Sequence, residues 1–561
     1  MKLIKFTYII SLFLSVFIFH SCKDLTDLNE NPNGVEPSTV DPNLLISTVM
    51  TSFGQDVVNN GFGDIAGVMQ HLQKDSWSDA FNNYSWEEKD WDSYYSMLRT
   101  NKLAYDRAVE EGLEFHQGVT LVLRAMIFGR ITDFWGDAPY TDALNGDEGS
   151  TEYLFPEFDS QEMIYKGIIE ELKTAAGLLS RDKSEYSDIN DEADIYYGGD
   201  PEKWLKLANS LALRFYMRLS EKLPDYAEAG VKEMLSQPLI SSVDDECSMA
   251  YIGSSNDDSW PSNTVYDSSG SNFKRIKPCT TLLYALMSLN DPRIGTWFNP
   301  VEIPIKVSSR YTPTKDTIVD QVRYIIPAVL DQNNLKIFDP STFKAYAEEG
   351  YTLIDTNQVY VGIPPSVVSY EPYDYNLNPN PTQGGGNEHV SYLSDLFQEA
   401  KDELLSAHIF PYYEVCFIKA EAALYGWGGD AEENYNAGIK ASLEEWDLAG
   451  KYESYMTNDG VAYDGTLAQI MEQKWIAGFT NASEAWFDWR RTGFPDLQTG
   501  PSPERDRIPL RFYYGSDEKD SNAENYLKAI ANLEETEYSS YDGKDSSWSK
   551  MWLLQGTEEP W

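Results

Sequence analysis

The chain has 561 residues, 42% of them hydrophobic, and a formal net charge of -46. A surface this acidic repels nucleic acid and anionic lipid headgroups, so neither is expected as a partner. With 15 Trp, 37 Tyr and 24 Phe the chain is not of the disordered kind, which is poor in aromatics.

Lys2 and Lys5 precede an apolar run from Phe6 to Phe19, followed by Ser21-Cys22 and a polar stretch. A basic start, a short apolar segment and a small residue before the cut describe a secretory signal over residues 1–21. The apolar run is shorter than the roughly 20 residues that cross a bilayer. Cys22, directly after the cut, is expected to become a lipidated N-terminus. His20 and Phe19 depart from the usual lipobox, and the competing reading is an ordinary signal with Cys22 incidental. Residues 22–40, with Asn31-Pro32-Asn33-Gly34, read as a polar tether. Residues 41–561 read as a single domain without a further membrane-spanning segment.

Helical periodicity runs through most of that domain. In 43–60, Leu44, Leu45, Val49 and Phe53 share a face. The segment 91–111 repeats the pattern from Trp91 through Val109. The segment 119–134 is apolar nearly all round and is expected at the centre. Further helices are expected at 162–179, 201–223, 411–426, 431–446 and 466–491. Pro201 suits the first turn of its helix. Several helices pair across short turns, as at 426–430. Trp204, Leu207, Ala208 and Leu211 follow tetratricopeptide spacing. The expected fold class is mostly α, with tetratricopeptide-like helical hairpins, long irregular loops and small β insertions. Plain antiparallel helices without repeat ancestry fit the same pattern. Residues 240–395 are the loop-rich insertion, with strand-like pieces at 322–326 and 358–363 and three glycines at 384–386. Long irregular segments on a rigid scaffold are where binding surfaces are built.

Beyond Cys22, three cysteines remain, so no full disulfide framework exists. Cys247 and Cys279 can pair across the irregular region, and Cys416 reads as a buried helical thiol. No HExxH, G-x-S-x-G or P-loop is present. His71, His116, His389 and His408 stand at no ligand spacing. Residues 61–66 (GFGDIA) match a dinucleotide fingerprint in form, but they follow a helix-like segment rather than a strand. Residues 29–34 mimic the opening of a calcium loop, yet Val40 stands where its closing Glu belongs. A glycosidase needs two suitably spaced carboxylates, and 90 acidic residues leave that alternative open without selecting a pair.

Two loops carry the binding hypothesis. Residues 74–91 (KDSWSDAFNNYSWEEKDW) hold Trp77, Phe81, Tyr84 and Trp86 among polar side chains. Residues 256–275 (NDDSWPSNTVYDSSGSNFKR) hold Trp260, Tyr266 and Phe273. Aromatic rings stack on the apolar faces of sugars while neighbouring polar groups bind hydroxyls. Trp77, Phe81, Tyr84, Trp260 and Tyr266 are the stacking candidates, with Asp79, Asn263 and Arg275 as hydrogen-bond candidates. Each aromatic serves equally well as a cap on the core beneath its loop. Trp91, in helical register with Tyr94 and Tyr95, is expected in the core.

Five segments carry a family resemblance: Ser21-Cys22-Lys23-Asp24, residues 130–140 (RITDFWGDAPY), residues 291–294 (DPRI), residues 484–493 (EAWFDWRRTG) and residues 507–511 (RIPLR). Together they resemble the SusD/RagB family of nutrient-binding outer-membrane lipoproteins. Asp488, Arg490 and Arg491 are expected to be structural ion-pair and cap residues. The resemblance implies four tetratricopeptide-like hairpins and a lipid anchor at the outer membrane, facing the exterior. It also implies a lid-like partnership with a SusC-like TonB-dependent transporter. The implied cargo is an oligosaccharide, with an oligopeptide as the alternative. The family supplies no catalytic residues, and neither a cofactor nor a metal is called for. Its ligand residues vary in position, so none is carried over.

Overall fold

The computed structural model describes residues 39–75, 79–86, 88–313, 315–367, 376 and 386–557. The expected signal, Cys22, nearly all of the tether, and Trp77 lie outside the described residues.

Ten longer helices build the scaffold. Helix α1 (Pro42–Gly61) opens with Pro42 in its first turn and with the Asp41 carboxylate accepting from the Asn43 N–H, both of which suit a helix start. Helix α2 (Asp92–Glu111) closes on Gly112 in the left-handed conformation, φ 69°, where a Cβ would be strained. Helix α3 (Glu114–Trp135) follows after one turn and is buried around its circumference from Gly118 to Leu123 and from Ala125 to Trp135, except at Leu121 and Arg124. It is the central helix that the unbroken apolar pattern requires. Helices α4 (Gln161–Leu178), α5 (Pro201–Arg218) and α6 (Pro224–Met234) pack in succession. Helices α7 (Tyr412–Leu424) and α8 (Ala431–Glu445) form a hairpin across a short turn, with Asp430 capping α8. Small residues set the approach of these pairs. A Cβ on Gly129 of α3 would lie 2.4 Å from the Phe215 ring of α5, and one on Gly438 of α8 would lie 2.8 Å from Phe417 of α7.

Two expected helices differ in extent. The segment 466–491 is not one helix but α9 (Leu467–Ala477) and α10 (Ala482–Thr492). At the break, Asn481 Nδ2 donates to the carbonyl of His408 at 3.1 Å. Gly61, at the end of α1, comes so close to the Asn481 backbone that a Cβ there would lie 2.8 Å from its Cα. A continuous helix would close that space. The segment 201–223 ends at Arg218, because Leu219 to Leu223 turn the chain before Pro224 begins α6.

The strands are short: β1 (Leu72–Lys74), β2 (Cys247–Ala250), β3 (Ile276–Pro278), β4 (Ile305–Val307), β5 (Asp316–Val319), β6 (Val322–Ile325), β7 (Leu335–Ile337), β8 (Thr352–Ile354) and β9 (Ser406–Phe410). They pair as β1–β3, β2–β9, β4–β6–β5 and β7–β8. The strand-like piece at 322–326 is β6. The piece at 358–363 is no strand. Its Val359 and Tyr360 amides donate to Asn357 Oδ1 and its Val361 amide to Ser391 Oγ, while its Val359 and Val361 carbonyls accept from the Val301 and Ser391 amides of two different segments. Only Ile363 bridges to Cys279.

Cys247, Cys279 and Cys416 are all buried free thiols, so the Cys247–Cys279 pairing is absent. The motif cations are structural, as expected. Arg491 pairs with Glu421 and Asp488, Asp488 with Lys474 at 2.7 Å, and Arg490 donates to the carbonyls of Asp133 and Leu510. Arg293 and Asp291 form a fully buried pair. Trp91 is buried against Trp135, Phe158 and Tyr514.

Candidate functional site

The two aromatic loops are nearly two hundred residues apart in sequence, and β1 and β3 join them. The strands run antiparallel with Leu72 opposite Pro278, Gln73 opposite Lys277 and Lys74 opposite Ile276. The Asp75 amide then donates to the Arg275 carbonyl at 3.1 Å. Asn82 pins the first loop back onto β1. Its Oδ1 accepts from the Lys74 amide at 2.8 Å, and its Nδ2 donates to the Lys74 carbonyl at 2.7 Å and to the Val367 carbonyl. All three amide contacts are buried or nearly so, which makes the arrangement costly to break.

A cleft of about 160 Å³ opens where the loops meet the end of α1. Lys74 and Phe81 come from the first loop, Pro261, Asn272 and Arg275 from the second, and Asn59 from α1. The Lys74 ammonium lies 4.3 Å from the centroid of the Phe81 ring, a favourable cation–π distance. Burial lowers the Lys74 pKa; the nearby charge of Arg275 lowers it further, and Asp64 opposes both. Arg275 also donates to Ser271 Oγ.

Asn59 is shared with a longer, more open groove of about 380 Å³ between α1 and α2. That groove presents Ser52, Gln55, Ser93, Ser96 and Thr100, which offer uncharged donors and acceptors. Its one acid, Asp56, accepts from Tyr94 Oη at 2.8 Å and from Asn60 Nδ2 at 2.8 Å, and faces Arg130 at 3.6 Å. Gln55 Nε2 donates to the Asp257 carbonyl at 2.8 Å and ties α1 to the second loop.

The candidates from the sequence divide sharply. Arg275 and Phe81 line the cleft, but Phe81 is only 1% exposed and forms wall rather than stacking platform. Tyr84 is a correction. It is fully buried, with φ 68° and with its hydroxyl accepting from Ser366 Oγ at 3.0 Å. Trp260 is a second correction. It is fully buried among Phe62, Tyr251 and Phe397, where its large apolar area stabilises the core. Asn263 is a third. Its Nδ2 donates to the Trp260 carbonyl and its Oδ1 accepts from the Tyr266 amide, both at 2.9 Å, so the amide shapes a turn. Tyr266 keeps 42% exposure, with its hydroxyl on the Gly253 carbonyl at 3.0 Å. Together with exposed Ile252 and Val265 it leaves apolar surface on the second loop. The Asp79 side chain and Trp77 lie outside the described residues. Lys74, Asn59 and Asn272 were not singled out from the sequence. A lysine heading an aromatic-rich loop was the available signal for Lys74, and nothing local marked Asn59.

The helical hairpins carry a cleft built by two loops and the end of α1. The profile of the family described as SusD-like, starch-binding and associating with the outer membrane matches residues 32–362 and 365–515. The chain belongs to this SusD-like family, a family of nutrient-binding proteins of the outer membrane. Solved structures share the fold. A chitin-binding protein is 22% identical with a TM-score of 0.66, covering 92% of this chain and 99% of its own. A SusD homologue from Bacteroides fragilis is 20% identical with a TM-score of 0.69, covering 92% and 100%. A SusD/RagB family protein from Bacteroides thetaiotaomicron is 21% identical with a TM-score of 0.64, covering 93% and 100%. No curated protein matches the chain. Among the described residues no helix is long and apolar enough to cross a membrane.

Proposed function

We propose that this protein is a lipoprotein anchored through Cys22 on the outer face of the outer membrane. In this reading it captures an oligosaccharide and passes it to a SusC-like TonB-dependent transporter. The observation that carries the reading is the β1–β3 pairing, which gathers residues of both aromatic loops around one cleft. Family membership supports the surface address and the transport role. The hydroxyl- and amide-lined groove beside the cleft suits a ligand rich in hydroxyls. Tyr266, Lys74, Asn272, Arg275 and Asn59 are the proposed contacts, and Trp77 and Asp79 stay candidates from the sequence alone. Membership of a family of binding proteins supports a role without turnover.

Calorimetric titration of residues 23–561 against oligosaccharides and oligopeptides tests this reading. Saturable glycan binding that weakens in Tyr266→Ala is the expected result. Peptide binding without any glycan signal would replace the cargo, and glycan turnover by the purified domain would replace the role.

A further inference from the structure

A second pocket lies apart from the cleft, where another face of α2 meets α3, α4 and the segment 141–145. Leu98, Asn101 and Tyr105 of α2 line it at helical spacing, with Arg124 of α3 and Glu171 of α4. Its volume is about 280 Å³. Ligand pockets run upward from about 300 Å³, so this one suits a single ring rather than a chain.

Two acceptors in this lining have nothing donating to them. Asn101 is 2% exposed, and its Nδ2 donates to the Thr120 carbonyl at 2.9 Å, while its Oδ1 is buried without a partner. Glu171 Oε1 accepts from Arg124 Nη1 at 2.5 Å and from Tyr140 Oη at 2.6 Å, while its Oε2 is buried and unmet. A buried acceptor left unmet costs about 1–3 kcal/mol, so the pocket calls for donors. Burial raises the Glu171 pKa while Arg124 and Tyr140 oppose the rise, and a donor on Oε2 would act with them.

The acceptors are fixed by their surroundings. The Arg124 guanidinium lies 5.0 Å from the ring centroids of both Phe128 and Tyr140. Asp159 accepts from the Tyr140 and Thr141 amides at 3.0 and 2.7 Å, which pins the start of the segment 141–145. The lining charges are paired, Arg124 with Glu171 and Lys102 with Asp106 at 2.7 Å. A neutral ligand leaves these pairs intact, whereas a charged one would compete with them. Half-buried Tyr105 offers a ring, and Leu98, Leu121 and Leu144 offer apolar wall. A sugar brings donating hydroxyls at its rim and an apolar face for the ring. Water can meet the acceptors but makes no use of Tyr105 and the leucines.

We propose that this pocket is a second ligand site, which holds a single neutral sugar on Asn101 Oδ1 and Glu171 Oε2 with Tyr105 against its ring. It shares no lining residue with the cleft between the aromatic loops, so the two sites stand or fall separately.

The test is saturation-transfer NMR on residues 23–561 with glucose, galactose, mannose, xylose and N-acetylglucosamine, followed by titration of whichever sugar responds. Tyr105→Ala and Asn101→Leu should each weaken its binding about tenfold or more. Tyr266→Ala should leave it unchanged, and melting curves confirm that the variants fold. Tyr105→Ala carries the test if Asn101→Leu does not fold. A crystal soaked in the sugar should show it hydrogen-bonded to Asn101 and Glu171. Silence from the whole panel, water alone in the pocket of soaked crystals, or binding that survives the pocket variants would overturn the proposal. Binding lost in Tyr266→Ala alone would also overturn it and assign the sugar to the cleft.

Discussion

The Asp75 amide donates to the Arg275 carbonyl at 3.1 Å, which carries the β1–β3 ladder one step beyond its strands. That bond joins two loops whose residues are far apart in sequence, and it sets Lys74 and Arg275 at one cleft. The geometry of the site therefore depends on backbone pairing more than on any single side chain.

Asn82 is the side chain on which that pairing leans most. Asn82→Ala leaves the amide and carbonyl of Lys74 and the carbonyl of Val367 without their partner. A loss of about 2 kcal/mol or more in stability is expected, read by denaturant titration. Glycan affinity should fall with it although Asn82 touches no ligand.

Trp260 and Tyr266 should separate stability from binding. Trp260→Ala opens a cavity among Phe62, Tyr251 and Phe397 and should cost about 3–5 kcal/mol of stability. Tyr266→Ala removes a half-exposed ring and should leave stability within about 0.5 kcal/mol, while weakening glycan binding by about 2 kcal/mol. Melting curves and calorimetry on the two variants check both halves.

Glu484 links acid stability to the buried charge network. Burial alone would raise its pKa, but the guanidinium groups of Arg214, Arg218 and Arg130 outweigh it and hold the carboxyl at about 2. A carboxyl depressed in the folded state stabilises the protein above its ordinary value of 4.5. That contribution is lost as pH falls through the folded value. Unfolding free energy should therefore decline from about pH 5 toward pH 2. Glu484→Gln should cost about 3 kcal/mol at neutral pH, because buried Arg218 loses its nearest carboxylate and keeps only Asp133 at 3.6 Å. It should also flatten the decline.

The three internal thiols should be silent in the native protein. Burial pushes Cys416 up to about 11 and Cys279 up to about 12, and it holds Cys247 well above the ordinary thiol range. Little thiolate is then available to attack a disulfide reagent. Colour development with such a reagent should be negligible in residues 23–561 until denaturant is added.

The scaffold was legible in the sequence because its signals are local. The apolar circumference of 119–134 marked the central helix, and Trp204, Leu207, Ala208 and Leu211 marked the buried face of α5. The character of Arg490 and Arg491 as structural cations was also readable from their place at a helix end. The facing of the loop aromatics was not. Trp260 is buried by Phe62 and Phe397, neither of which its own neighbourhood announces. A strand of three residues such as β1 is too short for an alternation to register, so the pairing that makes the site was invisible before the fold. The break at 478–481 was missed for a related reason, since it answers to the approach of Gly61 from another helix.

The most direct test of the central claim is hydrogen–deuterium exchange on residues 23–561, with and without a saturating oligosaccharide identified by calorimetry. Slowed exchange concentrated in 72–86 and 251–278, with a smaller effect along α1 near Asn59, is the expected result. Protection confined to other segments, with both loops unchanged, would contradict the assignment of the cleft as the binding site.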